Sequence, residues 1–195
     1  MLDAGNDPFG WADDPAVVMV CLTFVEGLMP GEILGILSAE ELDVPMRPGP
    51  LSVLAGGDRS GIRIAQSGGW AVVVELESLI ATKPELLRSL STSGRRAVQV
   101  SRTGSGLEGF VYWRDGELQC QFDPISPVAR TGSNPDVLAT EMRASGIDPS
   151  RAEMLRGHEM YRLAAEVSGV VADTNLVLEA ELSAGLVARR RRRSS

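Results

Sequence analysis

Apolar positions run together or alternate along the first two thirds of this chain and fall at helical spacing in the last third. The longest apolar run, Ala16 to Val25, is broken only by Thr23. A continuous β-branched and apolar stretch of that length predicts a strand buried on both faces and set centrally in a sheet. Pro30 at a first helical position, followed by Glu32, predicts a short helix to about Leu37. Three prolines between Asp43 and Pro50 predict a loop.

Two hairpins follow. Ile62 to Gln66 turns at Ser67-Gly68-Gly69 into Trp70 to Glu77, with Trp70, Val72, Val74 and Leu76 on one face and Ala71, Val73, Glu75 and Glu77 on the other. Phe110 to Arg114 turns at Asp115-Gly116 into Glu117 to Phe122, and Asp-Gly suits a turn that needs positive φ at both central positions. That turn predicts Arg114 opposite Glu117, Trp113 opposite Leu118 and Val111 opposite Cys120. The core face is then Val111, Trp113, Leu118, Cys120 and Phe122, with Phe110, Tyr112, Gln119 and Gln121 turned away from it. Between the hairpins Thr82-x-x-Glu85 matches a capping box for a helix to about Ser91, and Arg96 to Ser101 reads as a strand.

The last third reads as helix. Asn134 and Pro135 open one segment that exits at Gly146, and Ser150-x-x-Glu153 opens a longer one ending near Ser168-Gly169. Asp173 or Thr174 opens a last one to about Ala184. The predicted fold is α+β: a mostly antiparallel sheet of five to seven strands, helices on one face, and a helical C-terminal third. Residues 1–12 read as a flexible arm with Phe9 and Trp11 as possible anchors, 13–186 as one domain, and 187–195 as a disordered arginine-rich tail.

Composition narrows the chemistry. The 195 residues are 44% apolar and 23% charged, ordinary for a chain with a real core. One histidine, His158, and two cysteines, Cys21 and Cys120, show no metal-ligand or catalytic-triad spacing. Both cysteines fall in apolar strand patterns and read as buried thiols. The N-terminus is acidic and turn-rich, unlike a secretory leader, and the longest apolar run is too short to span a bilayer. These features predict a cytoplasmic protein with no membrane insertion. Net charge is −7, but the five arginines Arg189, Arg190, Arg191, Arg192 and Arg193 mask a body of 14 basic and 26 acidic residues. An acidic body repels nucleic acid, so any such contact falls to the tail. Lys83 is the only lysine beside eighteen arginines, a bias that matches GC-rich coding.

Few constellations carry chemistry. Glu75 and Glu77, two apart on a strand, are the candidate acid/base pair, and pairing with Arg63 or Arg95 is the structural alternative. His158 lies near an apolar arc formed by Met154, Tyr161, Ala164 and Ala165, and reads as structural because no orienting carboxylate or nucleophile is placed beside it. The glycine pairs fit turns, not phosphate-cradling loops. Phe110 and Tyr112, flanked by Gln119 and Gln121, form a candidate binding surface if no helix covers that face. Arg95, Arg96 and Arg102 add positive charge near a sheet edge.

Cys21-Leu-Thr-Phe-Val-Glu-Gly27 leading into Pro30-Gly-Glu32 carries a resemblance. Gly69-Trp-x-Val-x-x-Glu75, Leu87-x-x-Leu-Ser91 and the Asp-Gly hairpin ending Phe122-Asp-Pro124 belong to it too. Together they resemble an uncharacterised actinobacterial domain family of the streptomycete type, over roughly Trp11 to Gly185. The resemblance implies lineage and no activity. With no catalytic constellation, no cofactor motif and no metal site, the sequence points to a non-enzymatic binding protein of the immunity, adaptor or regulatory kind, with another protein as partner. A carboxylate-based hydrolase or small-ligand enzyme, and nucleic-acid association through the Arg189–Arg193 tail, are the alternatives.

Overall fold

The apolar run before Glu26 becomes β1 (Val20–Glu26), six of whose seven residues are buried. It is hydrogen-bonded on both edges, antiparallel to β4 (Trp70–Leu76) and to β5 (Arg96–Arg102). The computed structural model describes residues 7–103, 108–155 and 158–188. In these residues β1 lies inside one open antiparallel sheet of eight strands, ordered β2-β8-β3-β4-β1-β5-β6-β7. The remaining strands are β2 (Glu40–Glu41), β3 (Arg59–Ser67), β6 (Glu108–Arg114), β7 (Glu117–Phe122) and β8 (Ser183–Ala188).

Both faces of the sheet are covered, where the sequence predicted helices on one. On one face Val20, Leu22, Phe24, Val72, Val98 and Phe110 pack beneath α4 (Ala139–Ala144) and α5 (Glu159–Ser168). On the other, Val25, Ile62, Ile64, Ala71 and Val73 pack beneath α1 (Pro30–Ile36) and the segment running into α3 (Pro84–Leu90). The reason lies in the central strands, which are apolar at odd and even positions alike and leave neither face fit for water. The fifth helix, α2 (Pro48–Ala55), packs Leu51 and Ala55 on Ala184 and Leu186, on the same face as α4 and α5. It begins inside the predicted 43–50 loop, because proline is tolerated in a helix's first turn.

The C-terminal third is less helical than predicted. Residues 131–134 pair with the outer edge of β7, through Gln121 N–H to Thr131 O (2.8 Å), Ser133 N–H to Leu118 O and Asn134 N–H to Gln119 O. This delays α4 to Ala139 and shields an edge that would otherwise invite pairing with another chain. Leu155 N–H donates to Pro124 O, and α5 starts only at Glu159 before ending at Gly169 with a left-handed φ of 72°. The predicted last helix is a single π-helical turn, Asn175–Glu179, followed by β8. Gly185 allows that strand to lie against α1: a Cβ there would stand 2.6 Å from the Leu34 side chain.

The Asp-Gly turn forms as predicted, with φ of 51° at Asp115 and 75° at Gly116. Arg114 pairs with Glu117 and Trp113 with Leu118. A β-bulge then shifts the register, so that Tyr112 faces Cys120 and Val111 faces Gln121. The extra residue, Gln119, moves Cys120 and Phe122 from the predicted face of Val111 and Trp113 to that of Phe110 and Tyr112, which is itself covered by α4 and α5. Phe110, Tyr112, Cys120 and Phe122 share the main core, while Val111, Trp113 and Leu118 pack on Leu87 of α3.

The described part of the N-terminal arm is packed. Phe9 and Trp11 are buried, the Trp11 indole N–H donates to Ala172 O at 2.8 Å, and Arg102 donates to Ala12 O and Val17 O. His158 stands between two arm carboxylates, Asp7 Oδ2 at 2.9 Å and Asp13 Oδ1 at 3.2 Å, and Arg162 reaches Asp7 at 3.1 Å. At the other end of the chain, Val187 and Ala188, expected in the tail, belong to β8. Arg189 to Arg193 lie outside the described residues.

Partial burial raises the Asp7 pKa, but hydrogen bonds from His158 and Phe9 and the charges of His158 and Arg162 outweigh it and hold it below the ordinary aspartate value. A depressed carboxylate stabilises above its unfolded pKa of about 3.9 and loses that contribution as pH falls through its folded value. Acidification through this window is expected to release the arm first. The Trp11 indole N–H resonance should gain solvent exchange while the β1 amides stay protected; simultaneous loss of both would show that the arm is not separately held.

Candidate functional site

The two carboxylates proposed as an acid/base pair do not meet. Glu75 is fully buried on the α3 side of β4. Its carboxylate accepts Ser78 Oγ–H (2.5 Å) and the backbone N–H groups of Ile80 (2.6 Å) and Ala81 (2.8 Å). It caps the 3-10 turn Ile80–Thr82 as an anion caps a helix start. Glu77 lies past the end of β4 with a φ of 65°, which turns it out to solvent, where Ser52 Oγ–H donates to it. Neither arginine suggested for Glu75 reaches it. Arg63 pairs across the ladder with Val74 and therefore emerges on the opposite face, while Arg95 bonds Leu90 O and Thr92 Oγ1 at the exit of α3.

The aromatic surface is not exposed. Phe110 is 0% exposed and stacks on Phe122 with ring centroids 5.1 Å apart, and Tyr112 is 4% exposed. Gln119 and Gln121 sit on the edge strand beside the 131–134 segment, where Gln121 bonds Thr131 Oγ1 and Gln119 bonds Glu117. The bulge that separates these pairs had no signal in the apolar pattern. It can be read only from the ladder.

Tyr112 and Arg96 do come together, with Arg114, which sequence reasoning missed. They line a polar cleft of about 590 Å³ with Glu26, Arg114, Glu141 and Glu166. The register builds it: Glu26 ends β1 opposite Trp70 at the start of β4, and Arg96 starts β5 opposite Arg114 at the end of β6. Arg96 forms a bidentate pair with Glu26 (2.8 and 2.7 Å) and lies 4.9 Å over the Trp70 ring. The Arg96 hydrogen bonds hold the Glu26 carboxyl below its usual range, and Glu26 in turn raises Arg96. Burial pushes the Tyr112 phenol up, so it stays protonated and able to donate. Arg95 and Arg102 are not part of this cleft: Arg95 belongs to the α3 side, and Arg102 ties down the arm at the far end of β5.

On the strand side of the cleft, Glu26 alone faces two guanidiniums. Arg96 and Arg114 are direct cross-strand neighbours, an arrangement that costs stability for like charges. Glu26 satisfies Arg96, and Arg114 is left exposed and without an ion pair among the described residues. Glu141 of α4 and Glu166 of α5 stand on the helical side of the cleft.

The other chemistry-bearing groups are structural. Burial pushes the Cys21 thiol well up, helped by the neighbouring Glu75 charge, and pushes Cys120 to about 11. Both are free, buried and protonated, hence poor nucleophiles. The His158 ring is hydrogen-bonded to Asp7 and Asp13, carboxylates that the sequence had not placed beside it. Among the described residues no three His, Cys, Asp or Glu side chains cluster as metal ligands, and no helix is long and apolar enough to cross a membrane.

An antiparallel α+β sheet with one charged cleft at its end thus defines the class. The chain belongs to the Family of unknown function (DUF6461), whose model matches residues 58–192. The match takes in β3 to β8, whereas the Cys21–Gly27 block that carried part of the sequence resemblance lies ahead of it in β1. No curated protein and no solved structure matched the chain.

Replacing Glu75 by Gln presents an amide N–H₂ to a site where backbone N–H groups already point, and is expected to cost about 1–3 kcal/mol. Glu77→Gln, in solvent, should stay within about 0.5 kcal/mol. Urea midpoints of the two variants measure the contrast. Equal, small shifts would show that Glu75 is not the cap described.

Proposed function

We propose that the protein is a non-enzymatic, cytoplasmic interaction protein that docks a protein partner at the Arg96–Arg114 cleft. The observation that carries this is Arg114, a guanidinium without an ion pair among the described residues, held beside the protonated hydroxyl of Tyr112 and next to an ion pair that already accounts for Arg96. A partner's Asp or Glu side chain fits there, taking bidentate hydrogen bonds from Arg114 and one from Tyr112. Glu141 and Glu166 favour a basic residue on the same partner segment, which makes the recognised stretch mixed in charge. The cleft is preformed, because Glu26, Arg96 and Trp70 are fixed by adjoining strands. The arginine bias supports an actinobacterial setting. Catalysis by paired carboxylates has less support, since Glu75 is committed to backbone N–H groups.

The test uses the full chain as crosslinked bait in lysate of a GC-rich actinobacterium treated with nuclease, beside Arg114→Glu and Arg95→Glu. One defined protein retained by wild type and by Arg95→Glu, and depleted about tenfold or more by Arg114→Glu, is expected. Equal retention by all three baits, or no retained protein, would overturn the proposal.

A further inference from the structure

A second cavity, of about 520 Å³, opens on the same face of the sheet and shares no lining residue with the charged cleft. Its walls are Leu51, Ser52 and Ala55 of α2 and Val74 and Leu76 of β4, with Glu77 among its lining residues. Gly61 makes room for α2: a Cβ there would stand 2.5 Å from Leu51 Cγ. Arg63, on the interior strand β3 between β8 and β4, also lines this space and is 1% exposed.

Arg63 is an unusual group to bury. A guanidinium has five N–H donors and no acceptor. Nη1 donates to Ala180 O at 3.2 Å and Nη2 donates to Val177 O, at the end of the π-helical turn. These carbonyls supply dipoles but no formal charge. No carboxylate among the described residues lies within ion-pair distance. Burial alone acts on the group, lowering its pKa to about 10 with no acidic neighbour to raise it. At neutral pH it remains a cation, with donors to spare and an opening beside it.

We propose that this cavity binds a small organic monocarboxylate, its carboxylate on Arg63 and its apolar body against Leu51, Ala55, Val74 and Leu76. The volume suits a small ligand, and a lining shared about equally between apolar side chains and polar groups suits one with an apolar body and a charged head. An anion on Arg63 supplies the missing counter-charge, and guanidinium and carboxylate match in shape. Glu77 sets the selectivity. A negative charge lining the same cavity disfavours a second negative charge on the ligand, so phosphate and dicarboxylates are rejected while monocarboxylates, including zwitterions, are admitted. This site takes a metabolite-sized ligand and goes beyond the docking of a protein at Arg114.

The experiment is calorimetric titration of the full chain at neutral pH with benzoate and 3-methylbutanoate, and with benzamide and inorganic phosphate as controls. Saturable binding of the two carboxylates alone is expected. Arg63→Met should abolish it. Because Arg63 also holds the π-helical turn, so that its loss acts on folding as well as on binding, Ser52→Trp provides an independent variant. Ser52 is exposed and lines the cavity, so an indole there fills the space from its outer side. Ser52→Trp should weaken carboxylate binding about tenfold or more, and Arg114→Glu should leave it unchanged. No saturable binding by either carboxylate, equal binding by benzamide or phosphate, or unchanged binding in Ser52→Trp would overturn the proposal.

Discussion

A strand with neighbours on both edges and protein on both faces meets no water, and β1 is such a strand. Its polar side chains must find partners inside the molecule. Thr23 and Cys21 therefore share a buried seam with Gln99, whose amide donates to Cys21 Sγ at 3.2 Å, and with Glu75, directly across the ladder from Cys21. The antiparallel registers of β1 with β4 and β5 carry that constraint outward. They fix where Trp70 and Arg96 begin, and hence where Glu26 meets them. The charged cleft is the end of this register, and its geometry is inherited from a strand with no functional side chain along most of its length.

The two buried charges lie on adjoining strands and on opposite faces, and backbone ends solve both. Glu75 takes N–H groups at the start of a 3-10 turn, and Arg63 gives N–H groups to carbonyls at the end of a π turn. Each complements the partial charge that a helical end presents. The difference lies in completeness. Three donors engage both oxygens of Glu75, whereas two carbonyls leave part of the Arg63 guanidinium uncommitted. A buried ion left with spare valence costs stability that a fully paired one recovers, which separates a purely structural residue from one with capacity remaining.

Local chemistry made several elements legible in the sequence. The apolar run gave a central strand, Pro30 gave the start of α1, the two glycine-containing turns gave hairpins, and Gly169 gave the end of α5. What was hidden depended on contacts distant along the chain. Ser183 and Ala184 read as the end of a helix and Val187 and Ala188 as tail, because small residues carry little strand preference until α1 and α2 are known to press on them. The bulge at Gln119 moved Cys120 and Phe122 to the face of Phe110 and Tyr112, and Phe110 and Tyr112 are core because they lie beside Val100 and Val98 of β5 on the face that α4 and α5 cover. Of the site, Arg96 and Tyr112 were visible as residue types. Arg114 was not singled out, since its surplus charge exists only once the ladder sets it opposite Arg96.

The placement of β8 between β2 and β3 bears on how the chain folds during synthesis. Strand β3 leaves the ribosome early, pairs with β4, and then has an open inner edge until the residues after Thr174 arrive. Until then Arg63 lacks the carbonyls of Val177 and Ala180, and α2 lacks Ala184 and Leu186 to rest on. The last described strand to be made completes one half of the sheet. Completion of that half therefore waits for β8, slowed by long-range pairing and open to edge-to-edge association in any chain that stops short of it.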